Sequence, residues 1–168
     1  QMCIRDRMYA VPQILTRNAD VFLRTANQLK EYGYQEVNLN LGCPSKTVVT
    51  KGCGAGFLAR PEELEQFLDR IFSKTDMKIS VKTRFGMENA EEFPRLMEIY
   101  NRFPMEELII HPRVQKDFYK NIPNLEIFGE ALAISKNSVC YNGDIFSADD
   151  FKRIHAQFPN VECFMMGR

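Results

Sequence analysis

Tryptophan is absent from the 168 residues, which excludes nothing, and histidine occurs only twice. Other absences say more. No G-x-G-x-x-G opens a helix after a strand-like run, and no P-loop is present, so the two common phosphate-cradling fingerprints are missing. No C-x-x-C pair or His-rich spacing marks a zinc site. The five cysteines (3, 43, 53, 140 and 163) are odd in number and widely spaced, and no metal is expected. There is no signal-type leader and no apolar run of membrane-spanning length. The expectation is a reducing, cytoplasmic setting without a membrane partner. Charge of neither sign dominates: 22 Lys and Arg balance 22 Asp and Glu. That removes any global basic signal for nucleic acid, though RNA binding needs only a local patch.

What is present is the composition of one globular domain, 45% hydrophobic and 26% charged. Residues 1–7 have no clear period and do not lead into the strand-like run after them, so they read as a non-native or disordered leader before a domain over 8–168. The run Phe164-Met165-Met166-Gly167-Arg168 stops where a strand should hand over to a loop. The chain is therefore expected to be a piece of a larger protein.

The chain is organised around Asn38-Leu39-Asn40-Leu41-Gly42-Cys43-Pro44-Ser45-Lys46, followed by Gly52-Cys53-Gly54-Ala55-Gly56. Val37, Leu39 and Leu41 alternate with Asn38 and Asn40, the period-two signature of a strand. Gly42 frees the backbone and Pro44 pushes Cys43 towards extended geometry. A thiol thus stands where a strand opens into a loop. A lone Cys of this kind is ordinarily a buried small hydrophobe. The second glycine cluster is expected to let backbone approach a ligand closely.

Strands are predicted over 11–15, 36–42, 78–84, 107–111, 138–144 and 161–166. Helices are predicted near 20–31, 61–72, 90–103, 125–134 and 147–156, capped at Asn18 or Asp20 and at Ser147, with Pro61 leading the second. Residues 43–56 and 115–121 read as loop. Strict strand–helix alternation, with a period of about 25 residues, implies a parallel sheet with helices outside it. Lacking a phosphate fingerprint, the pattern favours a (β/α)₈ barrel over a doubly wound sheet.

The strand ends support the barrel. In order they carry Gln13, Asn40 with Cys43, Lys82 with Arg84, His111 with Arg113, Asn142 with Asp144, and Gly167-Arg168. Each has an ordinary explanation: a snorkelling Lys82, a satisfied core His111, solvated rim charges at Arg84 and Arg113, a turn at Asn142-Gly143-Asp144. Together they place one polar group at every strand end, which is how a barrel assembles a site. Cys140 and Cys163 read as packing residues, Cys53 as an exposed loop residue, and His155 as a solvated helix residue.

The run from Val37 to Val48, with Gly52-Cys53-Gly54-Ala55-Gly56-Phe57-Leu58 after it, resembles the tRNA-dihydrouridine synthases. Val81-Lys82-Thr83-Arg84-Phe85-Gly86, Ile110-His111-Pro112-Arg113, Tyr141-Asn142-Gly143-Asp144-Ile145 and Met166-Gly167-Arg168 look like that family's later motifs in the same order. The last two are shared by other flavin barrels. The resemblance implies α/β architecture, a partial TIM barrel comprising strands 2 to 7. It implies an FMN enzyme that reduces uridine in tRNA to 5,6-dihydrouridine with NAD(P)H as electron donor. Cys43 matches the family's catalytic cysteine. Gln13, Lys82, His111, Asn142, Gly143, Asp144, Gly167 and Arg168 match FMN-contacting positions. Asn40 and Arg84 would lie by the flavin and the uracil.

The chemistry suits the residue types. Reducing the C5–C6 bond takes hydride at C6, which reduced flavin supplies, and a proton at C5. An ordinary thiol is largely protonated at neutral pH and can give that proton. Lys82 can place positive charge by the flavin N1–O2 edge. Gly167 and Arg168 offer an N–H and a guanidinium to the FMN phosphate. Pro112-Arg113 departs from the family's more frequent Gly-Arg. The family's first strand, the end of its barrel and its C-terminal helical domain have no counterpart in the chain. An unclosed barrel has two exposed edges, so these residues alone are expected to be unstable and inactive, and the full-length form to be a monomer. The alternatives are an FMN barrel acting on free pyrimidines, of the dihydroorotate or dihydropyrimidine dehydrogenase kind, and a non-catalytic barrel fragment.

Overall fold

The alternation around Asn38 and Asn40 sets which side of the sheet each side chain takes. A computed structural model describes residues 9–167. The proposed leader, 1–7, and Arg168 lie outside the described residues. Six strands form one parallel sheet in the order β1 to β6. They are β1 (Gln13–Ile14), β2 (Glu36–Leu41), β3 (Lys78–Arg84), β4 (Leu108–His111), β5 (Val139–Tyr141) and β6 (Cys163–Phe164). Every neighbouring pair is parallel and consecutive, with no reversal of order. A doubly wound sheet must reverse at its switch point. Sequential parallel winding is the barrel's pattern, and the sheet is six strands of a partial TIM barrel.

The helices are α1 (Ala19–Glu31), α2 (Lys46–Val49), α3 (Pro61–Phe72), α4 (Phe93–Tyr100), α5 (Leu125–Ile134) and α6 (Ala148–Gln157). Asn18, not Asp20, caps α1, its side chain accepting from the Val21 N–H at 3.1 Å. Ser147 and Asp150 form a capping box on α6. The helix expected over 90–103 is shorter. Residues 90–92 form a 3₁₀ turn, and the Glu92 carboxylate folds back onto the N–H groups of Met87, Glu88 and Asn89. Pro94 has no N–H to give the Ala90 carbonyl, so α-helical register begins only at Phe93. The loop after Cys43 contains a helical turn, α2, and a 3₁₀ turn over Gly54–Phe57 that sequence pattern did not reveal.

One face of the sheet, with Val37, Leu39, Leu41, Ile79, Val81, Leu108, Ile110, Val139 and Tyr141, joins the helices in a single hydrophobic core. The alternate residues face the opposite way and are largely polar: Asn38, Asn40, Ser80, Lys82, Arg84, His111 and Asn142. Period two in these strands therefore separates core from barrel interior, rather than core from water. The buried polar members find partners in one another or in backbone carbonyls. Asn38 donates to Ser80 Oγ (3.0 Å) and accepts from Gln13 Nε2 (2.7 Å). Among the described residues no helix is long and apolar enough to cross a membrane.

Candidate active site

A cavity of about 300 Å³ opens at the C-terminal ends of the strands. Gln13, Asn40, Cys43, Lys82, Arg84, His111 and Gly167, each from a different strand end or the loop after it except for the pairs on β2 and β3, reach its wall. It belongs to the lower part of the size range of small-molecule sites.

Cys43 is half-buried, and the loop that carries it is tied at every backbone group on either side. The Asn40 side-chain oxygen accepts from the N–H groups of Gly42 (3.0 Å) and Cys43 (2.9 Å). The Gly42 carbonyl accepts from Arg84 Nε at 2.9 Å. The Cys43 carbonyl accepts from the Ala55 N–H at 3.1 Å, and the Pro44 carbonyl from Gln115 Nε2 at 2.9 Å. Asn40 is itself held, its Nδ2 donating to Gln13 Oε1 at 2.7 Å. A chain of amides thus runs from Ser80 through Asn38, Gln13 and Asn40 to the cysteine.

The glycine cluster supports this loop. A Cβ at Gly54 would lie 2.8 Å from the Cys43 carbonyl oxygen and 2.9 Å from the Cys43 Cβ. Gly54 also has φ of +55°, a conformation that costs an L side chain energy. Its conformation and its lack of a side chain are both required for the backbone of 54–55 to press against Cys43.

Arg84 and Arg113 are not rim charges: each is 2% exposed. Arg84 also donates to the Val114 carbonyl at 3.1 Å, and its guanidinium stands 5.2 Å from the centre of the Tyr119 ring. Arg113 forms a bidentate pair with Asp144 and donates from Nη1 to His111 Nε2 at 3.1 Å. A guanidinium has no acceptor, so Nε2 of His111 must accept and Nδ1 must carry the proton. Nδ1 then donates to Asn142 Oδ1 at 3.4 Å. Asn142 Nδ2 donates in turn to the Met165 and Gly167 carbonyls, at 2.9 and 3.0 Å. Burial, reinforced by Arg84, Lys82 and Arg113, pushes the His111 pKa down to about 3, so the ring is neutral. Burial, then the charge of Arg84, lowers that of Lys82 to about 8.

Of the residues expected to contact a cofactor, Gln13, Lys82, His111 and Gly167 reach the cavity wall, as do Cys43, Asn40 and Arg84. Asn142, Gly143 and Asp144 stand behind it: Asn142 anchors the segment after β6, and Asp144 pairs with Arg113. Sequence pattern missed Gln115 and Tyr119, both placed in a polar loop; Tyr119, the aromatic next to Phe118, lines the cavity. No sequence signal marks them, because the turn that carries them depends on Phe118 adopting a φ of +50°, which no sequence rule foretells.

The family model described as Dihydrouridine synthase (Dus) matches residues 4–168, beginning inside the stretch read as a leader. A tRNA-dihydrouridine synthase B of Pasteurella multocida is 27% identical over 163 residues, covering 93% of this chain and 47% of the relative. A tRNA-dihydrouridine(20/20a) synthase of Shewanella oneidensis is 36% identical over 93 residues, 54% of this chain and 28% of the relative. A probable tRNA-dihydrouridine synthase of Staphylococcus aureus is 27% identical over 146 residues, 83% of this chain and 44% of the relative. The chain thus spans about half the length of these curated relatives or less. A cysteine loop tied from four sides and a parallel sheet wound in sequence are what those matched residues build, and the chain belongs to the dihydrouridine synthase family.

Proposed function

We propose that the protein carrying this chain reduces uridine to 5,6-dihydrouridine in tRNA, with FMN as its cofactor and NAD(P)H as electron donor. The donor set of the cavity supports a flavin. Among the described residues none accepts a hydrogen bond from the Lys82 ammonium, which is half-buried at the cavity wall. An unpaired cation there suits the electron-rich edge of a flavin ring. Lys82 and Gln13 would hold that edge, and Gly167 with Arg168 the phosphate. A bound, reduced flavin supplies the hydride that reaches C6 of uracil.

The remaining chemistry is the chain's own. The one N–H of His111 is engaged by Asn142 and its other nitrogen by Arg113, which argues against His111 as the proton donor. The Cys43 thiol, which reaches the cavity wall and matches the family's catalytic cysteine, would deliver the proton to C5 of uracil. Asn40 and Arg84, expected by the flavin and the base, act first as positioning residues, since their side chains hold the Cys43 loop. A loop already fixed loses little entropy when the substrate arrives. The base must leave its stack to enter, which costs a few kcal/mol.

The observation that carries this reading is the cysteine loop, tied by Asn40, Arg84, Ala55 and Gln115 beside an unpaired lysine. The test uses the full-length protein, unmodified tRNA and NADPH, with dihydrouridine measured in the product. Free uracil and orotate, which carry the same C5–C6 double bond, are run in parallel. Faster NADPH oxidation with either free pyrimidine than with tRNA would reverse the substrate assignment. Product formation abolished by Tyr119→Phe but not by Cys43→Ala would move the proton donor to the phenol.

A further inference from the structure

On the interior face of the sheet, three consecutive strands bring together groups that are far apart in sequence. Cys140 on β5 and Cys163 on β6 are register partners. Ile109 on β4 is the partner of Cys140, and Glu107 lies two residues before it, on the same face. The thiol sulfurs of Cys140 and Cys163 and a carboxylate oxygen of Glu107 all lie within 4.8 Å of one another. Cys140 is fully buried, while Glu107 and Cys163 are partly accessible. None of the three belongs to the hydrophobic cluster on the helix-facing side, although Cys140 is as fully buried as a packing residue should be.

We propose that Glu107, Cys140 and Cys163 form a binding site for a thiophilic divalent cation, zinc(II), which ties β4, β5 and β6 together. Zinc takes thiolate at about 2.3 Å and carboxylate at about 2.0–2.2 Å, so ligand atoms around one ion stand roughly 3.5–4 Å apart. The cluster needs only small side-chain movement to reach that spacing. Two sulfurs and one oxygen leave the fourth tetrahedral position to water. Soft sulfur donors select zinc over magnesium or calcium.

Burial raises the pKa of both thiols, and the neighbouring Glu107 carboxylate raises them further. Both thiols therefore carry protons at neutral pH, and binding exchanges two protons for one ion with no change of oxidation state. The bound site carries one net negative charge, partly offset by Lys82, whose ammonium feels the Cys140 sulfur. Sequence spacing hid the site because β-register, not a short motif, assembles it. The inference does not rest on the uridine reading.

The test is an anaerobic cobalt(II) titration of the full-length protein, reduced, with every cysteine other than Cys140 and Cys163 changed to Ser. The expected result is a thiolate-to-cobalt charge-transfer band that saturates at one equivalent and is displaced by zinc(II). Glu107→Gln, which keeps both thiols, should weaken cobalt binding by about tenfold or more. Cys140→Ser should abolish the band. Absence of a stoichiometric band in the folded parent overturns the proposal, whatever the variants do. So does a band whose affinity Glu107→Gln leaves unchanged, or one that survives Cys140→Ser.

Discussion

The half of the sheet built on β2 and β3 and the half built on β4, β5 and β6 hold the cavity by different means. The first has strands of six and seven residues, and it presents Cys43 on a loop whose own backbone groups are tied. The second has strands of four, three and two residues, too short to fix much by backbone alone. There the positions depend on side chains, in the series Arg113, His111, Asn142 and the carbonyls of Met165 and Gly167. The difference matches the tasks proposed for them. A proton donor must be placed to a fraction of an ångström, whereas a cofactor cradle can rely on buried polar groups that a ligand completes.

The largest effect should come from the first half. Cys43→Ala in the full-length protein should lower dihydrouridine formation by about 10²–10⁴-fold, the usual contribution of a positioned acid. Flavin content, read by absorbance, should stay the same. Loss of flavin with the thiol would mean that the loop belongs to the cradle and the two halves do not divide the work as described.

In the second half, Arg113→Ala removes the bidentate partner of Asp144 and the donor to His111 Nε2. Breaking a buried pair from one side should cost about 3 kcal/mol in urea denaturation, less than a fully desolvated pair because Asp144 is partly exposed. Flavin affinity should fall with it. Hydrogen-exchange protection of the Gly42 and Cys43 amides should not change, because Asn40 accepts from both. If that protection is lost too, the halves are one cooperative unit.

Gly54→Ala tests the first half from beneath. The new Cβ meets the Cys43 carbonyl oxygen and Cβ at 2.8 and 2.9 Å and must adopt a left-handed backbone. A cost of about 1–3 kcal/mol is expected, with kcat reduced about tenfold through displacement of the loop. Unchanged kcat in a destabilised protein would show that the glycine serves folding alone.

These contrasts were only partly legible in the sequence. The alternation of strands with capped helices was, because Asn18, Pro61 and Ser147 are local signals and the apolar periods are long. So was the set of strand-end residues, since barrel topology alone brings Gln13, Cys43, Lys82 and His111 to one cavity. What escaped depends on partners distant in sequence. Arg113 reads as a rim charge until Asp144, 31 residues on, is placed against it. Gln115 reads as loop until Pro44, 71 residues away, offers its carbonyl. The second half of the sheet was the less legible because its strands are short and its polar groups are placed by partners distant in sequence.

Lys82 stands at the seam between the halves, with Asn40 of β2 and Ile109 of β4 as its register partners, and its charge interacts with both Cys43 and Cys140. Its pKa is depressed to about 8, first by burial and then by Arg84. Affinity and stability should therefore respond to pH in opposite directions. Flavin affinity that depends on the ammonium should fall as pH rises through 8, by roughly tenfold between pH 7 and 9. Stability should move the other way. Between about 8 and the ordinary value of 10.5 the unfolded chain holds the lysine proton and the folded chain does not. Stability from this group therefore rises with pH across that window, and its burial penalty is complete below it. The thiols of Cys140 and Cys163, whose pKa values are raised, push stability downward in the same range. The comparison is therefore made between the parent and Lys82→Met, where the thiol contributions cancel. The stability difference should shift in favour of the parent above pH 8 while the affinity difference shrinks. A stability difference independent of pH would show that Lys82 is solvated rather than buried at the seam, and would remove the strongest support for a flavin edge at that position.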